Sequence, residues 1–187
     1  DQIDGNAGAD ELHGNVGTDT MNGGTEDDVM FGDAGDDVMN GNPGVDTMRG
    51  GTENDTMHGN EDGDFMFGDS GTDSMFGDAG DDVMRGGIDA DTMHGNGDHD
   101  VMNGDDAADH MFGDAGPDTM HGDAADDYME GNADVDTMTG DAGQDDMLGG
   151  SGSAGQPDTG DVMNGGDGAS TLTQDFDVLV GDNGKIE

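Results

Sequence analysis

The chain contains no cysteine, so neither a disulfide framework nor a thiolate metal site contributes to its fold. That absence assigns no compartment, but it suits an exported chain, in which wrong bridges cannot form. Basic side chains are almost as scarce: Arg49, Arg85 and Lys185 stand against 47 carboxylates, a formal net charge of −44 in 187 residues. Nucleic acid needs clustered positive charge and is excluded as a partner; an anionic membrane surface is disfavoured for the same reason. No apolar run is long enough to span a bilayer, so membrane insertion is not expected, and no signal peptide is visible at the start. Leu, Ile, Val and Phe together supply 23 residues, about an eighth of the chain. Such a composition reads as disordered. Apolar burial cannot offset the entropy of ordering 39 glycines, and carboxylate repulsion opposes compaction. A folded state therefore requires something cationic.

What is present is a repeat. Sixteen consecutive nonapeptides run from Gly5 to Leu148 without insertion or deletion, in the pattern G-[G/N/D]-x-x-x-D-x-M-x. Place eight is Met in all but the first copy, where Leu12 stands. Periodicity of this length indicates a solenoid. Place two is only ever Gly, Asn or Asp, the residues that best tolerate positive φ, and is expected to be a left-handed turn position. Acids there, such as Asp33, Asp69 and Asp78, are turn formers before they are ligands. Place four is Gly in eight copies, acidic in six, and Ala at Ala107 and Ala125. The first five places read as a tight glycine-rich loop.

Place seven is mostly Thr or Val, which favour extended backbone. Side chains alternate in a strand, so Asp at six and Met at eight face the interior while seven and nine face out. Two loop–strand units close one turn of a flattened right-handed coil of 18 residues. Successive turns stack as parallel strands about 4.8 Å apart, giving a rod roughly 40 Å long. The predicted fold is all-β, a right-handed parallel β-roll solenoid with two nonapeptides per turn, methionines in a thin inner ladder and aspartates along each edge.

These residues resemble the repeats-in-toxin (hemolysin-type) nonapeptide G-G-x-G-x-D-x-U-x, U being a large apolar residue. Gly32-Asp33-Ala34-Gly35-Asp36-Asp37-Val38-Met39-Asn40 and Gly77 to Arg85 follow it well. The resemblance covers about three quarters of the chain. It implies a parallel β-roll with calcium between successive loops, held by place-six carboxylates and loop carbonyls. The implied ligands are Asp10, Asp19, Asp28, Asp37, Asp46, Asp55, Asp64, Asp73, Asp82, Asp91, Asp100, Asp109, Asp118, Asp127, Asp136 and Asp145. Calcium chemistry agrees, because the ion takes six to eight hard oxygens, carboxylate or carbonyl. Eight loops per edge leave seven gaps, so about fourteen ions are expected, reducing −44 to about −16. Two features depart from the family: Met replaces Leu, Ile or Phe, and place four carries acids or alanines that add a ligand or loosen the turn near Asp62, Asp98, Ala107 and Ala125. The bland reading of the methionines is a core ladder; thioether copper(I) binding and an oxidation-sensitive switch are the alternatives.

Residues 1–148 form the regular roll. Beyond Leu148 two sixteen-residue units, 149–164 and 165–180, look like nonapeptides with seven extra loop residues, placing Asp161 and Asp177 as further ligands; 149–187 is expected to cap the roll or bridge to further sequence. With four residues before Gly5, the chain reads as a segment of a longer protein or one with processed ends. A 36-residue superperiod also runs along one edge, with Gly and acid alternating at place four from Gly8 to Asp134. Outward residues echo it: Phe31 with Phe67, Phe76 with Phe112, Arg49 with Arg85, His58 with His94. Duplication of a four-repeat block explains it, and a surface lattice is the other reading. The place-nine histidines read as solvated.

Enzymatic signals are missing. No carboxylate pair stands out from the periodic background, the serines have no obvious His and Asp partners, and neither a P-loop nor an EF-hand pattern occurs. The reading is a non-enzymatic, calcium-dependent structural module of a secreted or cell-surface protein: a stalk, surface-layer, filament or adhesin segment. A secretion or folding module of an exported enzyme, and a glycan- or ice-binding surface, are the alternatives. Self-association into a filament or lattice is open, with Arg49 and Arg85 meeting acidic neighbours.

Overall fold

The computed structural model describes residues 1–150 and 161–165, and the main chain of 178–180. Every regular segment among them is a strand. Three short strands open the chain: β1 (Gln2–Asp4), β2 (Glu11–His13) and β3 (Thr20–Asn22). Longer ones follow: β4 (Val29–Ala34), β5 (Val38–Pro43), β6 (Thr47–Thr52), β7 (Thr56–Glu61), β8 (Phe65–Ser70), β9 (Ser74–Ala79), β10 (Val83–Ile88), β11 (Thr92–Gly97), β12 (Val101–Asp105) and β13 (His110–Ala115). Short strands return with β14 (Thr119–His121), β15 (Tyr128–Glu130), β16 (Thr137–Thr139), β17 (Asp146–Leu148), β18 (Val162–Asn164) and β19 (Val178–Val180).

Odd-numbered strands form one parallel ten-stranded sheet and even-numbered strands a nine-stranded one. Within the regular repeats each residue pairs with the one 18 positions on, as in Thr47↔Phe65 and Met48↔Met66. One turn of the coil is therefore two nonapeptides, one per sheet. β18 and β19 extend the two sheets beyond the regular repeats, pairing with β16 and β17. This is the parallel β-roll expected from the repeat.

Register is fixed by the alternation along each strand, because a one-residue slip would turn every methionine outward. All fifteen methionines from Met21 to Met147 are fully buried and form the core, with Ile3, Leu12 and Met163 packed partly buried against it. The interior thus holds one large apolar side chain per nine residues, and place-six aspartate shares it. Val, Ile and Phe are among the exposed residues instead, Val16, Ile88 and Phe65 being examples.

Place two is left-handed in all sixteen repeats, with φ near 70° at Asn6, Asp33 and Asp114. Two things differ from the expectation. Place four is left-handed as well in the first fifteen repeats, including Glu26, Asp62, Ala107 (φ 85°) and Ala125 (φ 94°). An alanine there costs about 1–2 kcal/mol relative to its ordinary backbone. In addition, the central strands run from place seven through to place two or three, so place one lies inside the strand and not in a loop. Close packing of successive coils explains its invariance: a Cβ on Gly32 would lie 2.5 Å from the Gly50 carbonyl oxygen and 2.6 Å from Asp37 Oδ2.

Candidate metal-binding edges

The coil brings the place-six aspartates into two columns. One edge carries Asp10, Asp28, Asp46, Asp64, Asp82, Asp100, Asp118 and Asp136; the other carries Asp19, Asp37, Asp55, Asp73, Asp91, Asp109, Asp127 and Asp145. Within a column, Oδ1 accepts the N–H of the aspartate one turn earlier, as from Asp10 to Asp28 (2.7 Å) and from Asp118 to Asp136 (2.9 Å). The bond repeats along both edges. Asp161 joins the first column across the longer spacing, its Oδ1 accepting from Asp136 N–H at 3.0 Å. Asp177 lies outside the described residues.

The second oxygen is a different matter. Oδ2 of each aspartate from Asp10 to Asp127 is buried and meets no hydrogen-bond donor, and the residues from Asp19 to Asp127 are at most 2% exposed. Burial without a partner strongly disfavours the ionised form. It pushes Asp64 and Asp118 up to about 8, and Asp55, Asp73, Asp91, Asp100, Asp109 and Asp127 to about 7. The accepted N–H works against that rise, and neighbouring carboxylates such as Asp46 and Asp82 beside Asp64 add to it. Without a cation, Asp64 and Asp118 are mostly protonated at neutral pH, and a nearby cation would favour their charged form.

The surroundings fit a hard cation. At Gly23, Asp28 Oδ2 and the Gly41 carbonyl oxygen both approach the space a Cβ would fill, at 2.5 and 2.9 Å. Glycine leaves these oxygens uncovered. Among the described residues no three His, Cys, Asp or Glu side chains converge on one point, so each position offers a carboxylate and main-chain carbonyls rather than a side-chain cage. Calcium accepts such a mixed set and completes its shell with water. The thioethers at place eight are too soft to compete for it.

Outside the coil the charges are arranged differently. Every basic residue at place nine reaches the place-two aspartate 20 positions on: His13–Asp33 (3.2 Å), Arg49–Asp69 (3.3 Å), His58–Asp78 (3.3 Å), Arg85–Asp105, His94–Asp114 (3.0 Å) and His121–Asp141 (3.5 Å). Four of them, His13, Arg49, His58 and His94, also stack on phenylalanines of adjacent turns. His58, Phe76, His94 and Phe112 form one column, with successive centroids 4.7, 5.4 and 4.5 Å apart and rings within 9° of parallel. Arg49 lies 4.9 Å over Phe67. The four place-nine histidines are therefore paired, and His13, His58 and His94 stacked as well, not simply solvated, and both arginines are engaged within the chain. The signal was in the sequence: a cation at place nine is followed 20 residues later by Asp in six of six cases, whereas Asn or Phe there is followed by Asn or Gly except at Asn103.

Comparison with known families points the same way. The RTX calcium-binding nonapeptide repeat (4 copies) matches in eight overlapping segments: 1–30, 13–48, 40–75, 67–102, 76–111, 85–120, 103–138 and 121–153. No curated protein matches the chain. With matches running over 1–153, an unbroken parallel coil of 18-residue turns and two edges of stacked aspartate, the chain belongs to the RTX calcium-binding repeat family and is a calcium-binding β-roll.

Proposed function

We propose that this chain is a non-enzymatic structural module of a secreted or cell-surface protein, a stalk, surface-layer, filament or adhesin segment, which folds when it meets extracellular calcium. The observation that carries the reading is the double column of buried Oδ2 atoms, those from Asp10 to Asp127 meeting no donor among the described residues. Asp10 through Asp145 at place six would hold the ions together with carbonyls of the adjoining glycines, and Asp161 and Asp177 would extend the columns. Bound calcium supplies the positive charge that permits these carboxylates to be buried ionised. About fourteen ions fit the gaps of the regular repeats, and their binding and the closing of the coil are then one transition. Residues 1–148 act as the rod and 149–187 as its cap or as a bridge to further sequence.

Low cytosolic calcium would leave the chain extended for export, and the higher concentration outside would fold it by mass action. Far-ultraviolet circular dichroism during calcium addition tests this. Strand signal should rise cooperatively, disappear on chelation, and fail to appear with magnesium alone, whose octahedral demand is strict. A spectrum indifferent to calcium would overturn the reading.

A further inference from the structure

The inner ladder is made of the one large apolar side chain that mild oxidants attack. Fifteen consecutive coil positions, Met21 to Met147, are methionine with no exposed surface. The fold does not require this. Ile3 pairs in register with Met21, and Leu12 with Met30, and both pack against the same core. Leucine and isoleucine are therefore accommodated at place eight, and they exceed methionine in rigidity.

Oxidation would change the core at every level. A thioether and a peroxide give a sulfoxide and water: the sulfur loses two electrons and gains oxygen, while the peroxide O–O bond breaks. The product is a polar, chiral group with a strong acceptor. The interior has nothing to offer that acceptor. Besides apolar side chains it holds the place-six carboxylates, which only accept when ionised around calcium, and the neighbouring backbone N–H groups are already used in the parallel ladders. Each sulfoxide oxygen would be buried unsatisfied, in a ladder only one side chain wide.

We propose that the methionine column is a modification site for peroxide-class oxidants, gated by the coil. In the wound state the thioethers are shielded together. In the unwound state they are exposed together, and their sulfoxides prevent winding until a reductase, using a dithiol that is oxidised to a disulfide, returns the thioether and releases the oxygen as water. The proposal rests on the calcium-dependent folding proposed above. Coil formation then depends on two conditions, divalent cation and reduced thioether.

The test exposes the full chain to hydrogen peroxide, once in chelator and once in saturating calcium. Added oxygen atoms are counted by mass spectrometry after the peroxide is destroyed, and a calcium titration is then followed by circular dichroism. The chelated sample should gain oxygen at most methionines and should need more than about tenfold more calcium to fold, or not fold at all. The calcium-loaded sample should stay largely unmodified from Met21 to Met147. Methionine sulfoxide reductases acting on both epimers should restore the original titration. A chain with Met→Leu at all fifteen buried positions should fold with calcium whether or not it has met peroxide; if it does not fold, the unsubstituted samples decide the matter alone. Equal oxidation with and without calcium, or an oxidised chain that folds at the original calcium concentration, would overturn the proposal. An untreated chain whose circular dichroism does not change with calcium would instead sink the calcium reading, and with it the gating proposed here.

Discussion

Asp82 and Asp105 are both aspartates of the central turns, and their surroundings differ in kind. Asp82 is fully buried, accepts the N–H of Asp64 at Oδ1, and has no partner for Oδ2 among the described residues. Asp105 is at the outer surface, held by both Nε and a terminal nitrogen of Arg85. The outer wall completes its ion pairs with residues of the same chain. The edges leave a valence that the chain cannot fill, since only three basic side chains exist and Arg49 and Arg85 are committed outside. The acidic excess is therefore no uniform solubility device. Part of it is buried along the edges, where we propose that it binds calcium, and part forms half of a set of cross-turn pairs.

The contrast should show most strongly in the absence of metal. The buried carboxylates have folded-state values of about 6 at Asp82 to about 8 at Asp64 and Asp118, above the unfolded range near 4. A raised folded value means the protonated form favours the coil. That contribution is complete below about pH 4 and is lost as pH rises through 6 to 8. In chelator, circular dichroism should show more strand at pH 5 than at pH 8; the opposite order would contradict the burial of these groups.

Single substitutions sharpen the comparison. Asp82→Ala removes a ligand and leaves the Asp64 N–H without its acceptor, which alone costs about 1–3 kcal/mol. Calcium-dependent melting should drop accordingly and calorimetry should count fewer ions. Gly32→Ala places a methyl against the Gly50 carbonyl and the Asp37 carboxylate and should cost about 1–3 kcal/mol, with a raised calcium midpoint. Ala125→Gly relieves a left-handed alanine and should stabilise the coil by about 1 kcal/mol without changing ion count. Asp105→Asn, at the exposed end of the comparison, removes the charge but keeps a residue that tolerates the left-handed backbone (φ 70°), and should cost only about 0–1 kcal/mol, a cost that should vanish in high salt. If Asp105→Asn proved as damaging as Asp82→Ala, the distinction between edge and wall would fail.

The coil itself was legible because the repeat is rigid: Asp at six, Met at eight and Gly, Asn or Asp at two each do one job. Place four was harder. Glu26, Glu53 and Ala107 do not advertise positive φ, and there the backbone conformation is imposed by the turns stacked on either side, not by residue preference. The strand through Gly32 was read as loop because glycine usually marks a turn; here it marks close approach between coils. The pairs from place nine to place two escaped notice because they span 20 residues, two more than the turn, and so fall outside the nine-residue frame. The carboxylate columns were legible as positions, but the division of labour between Oδ1 and Oδ2 needed coordinates.

The most direct test is a crystal structure of the chain grown with calcium, with the ions located by anomalous scattering after exchange for terbium. The expected result is two lines of peaks, one along each edge, every peak bound by place-six Oδ2 and main-chain carbonyls and none needing the place-two aspartates. An ordered coil whose edge columns bind no metal, or ions gathered instead on the outer wall around residues such as Asp105 and Asp123, would contradict the account.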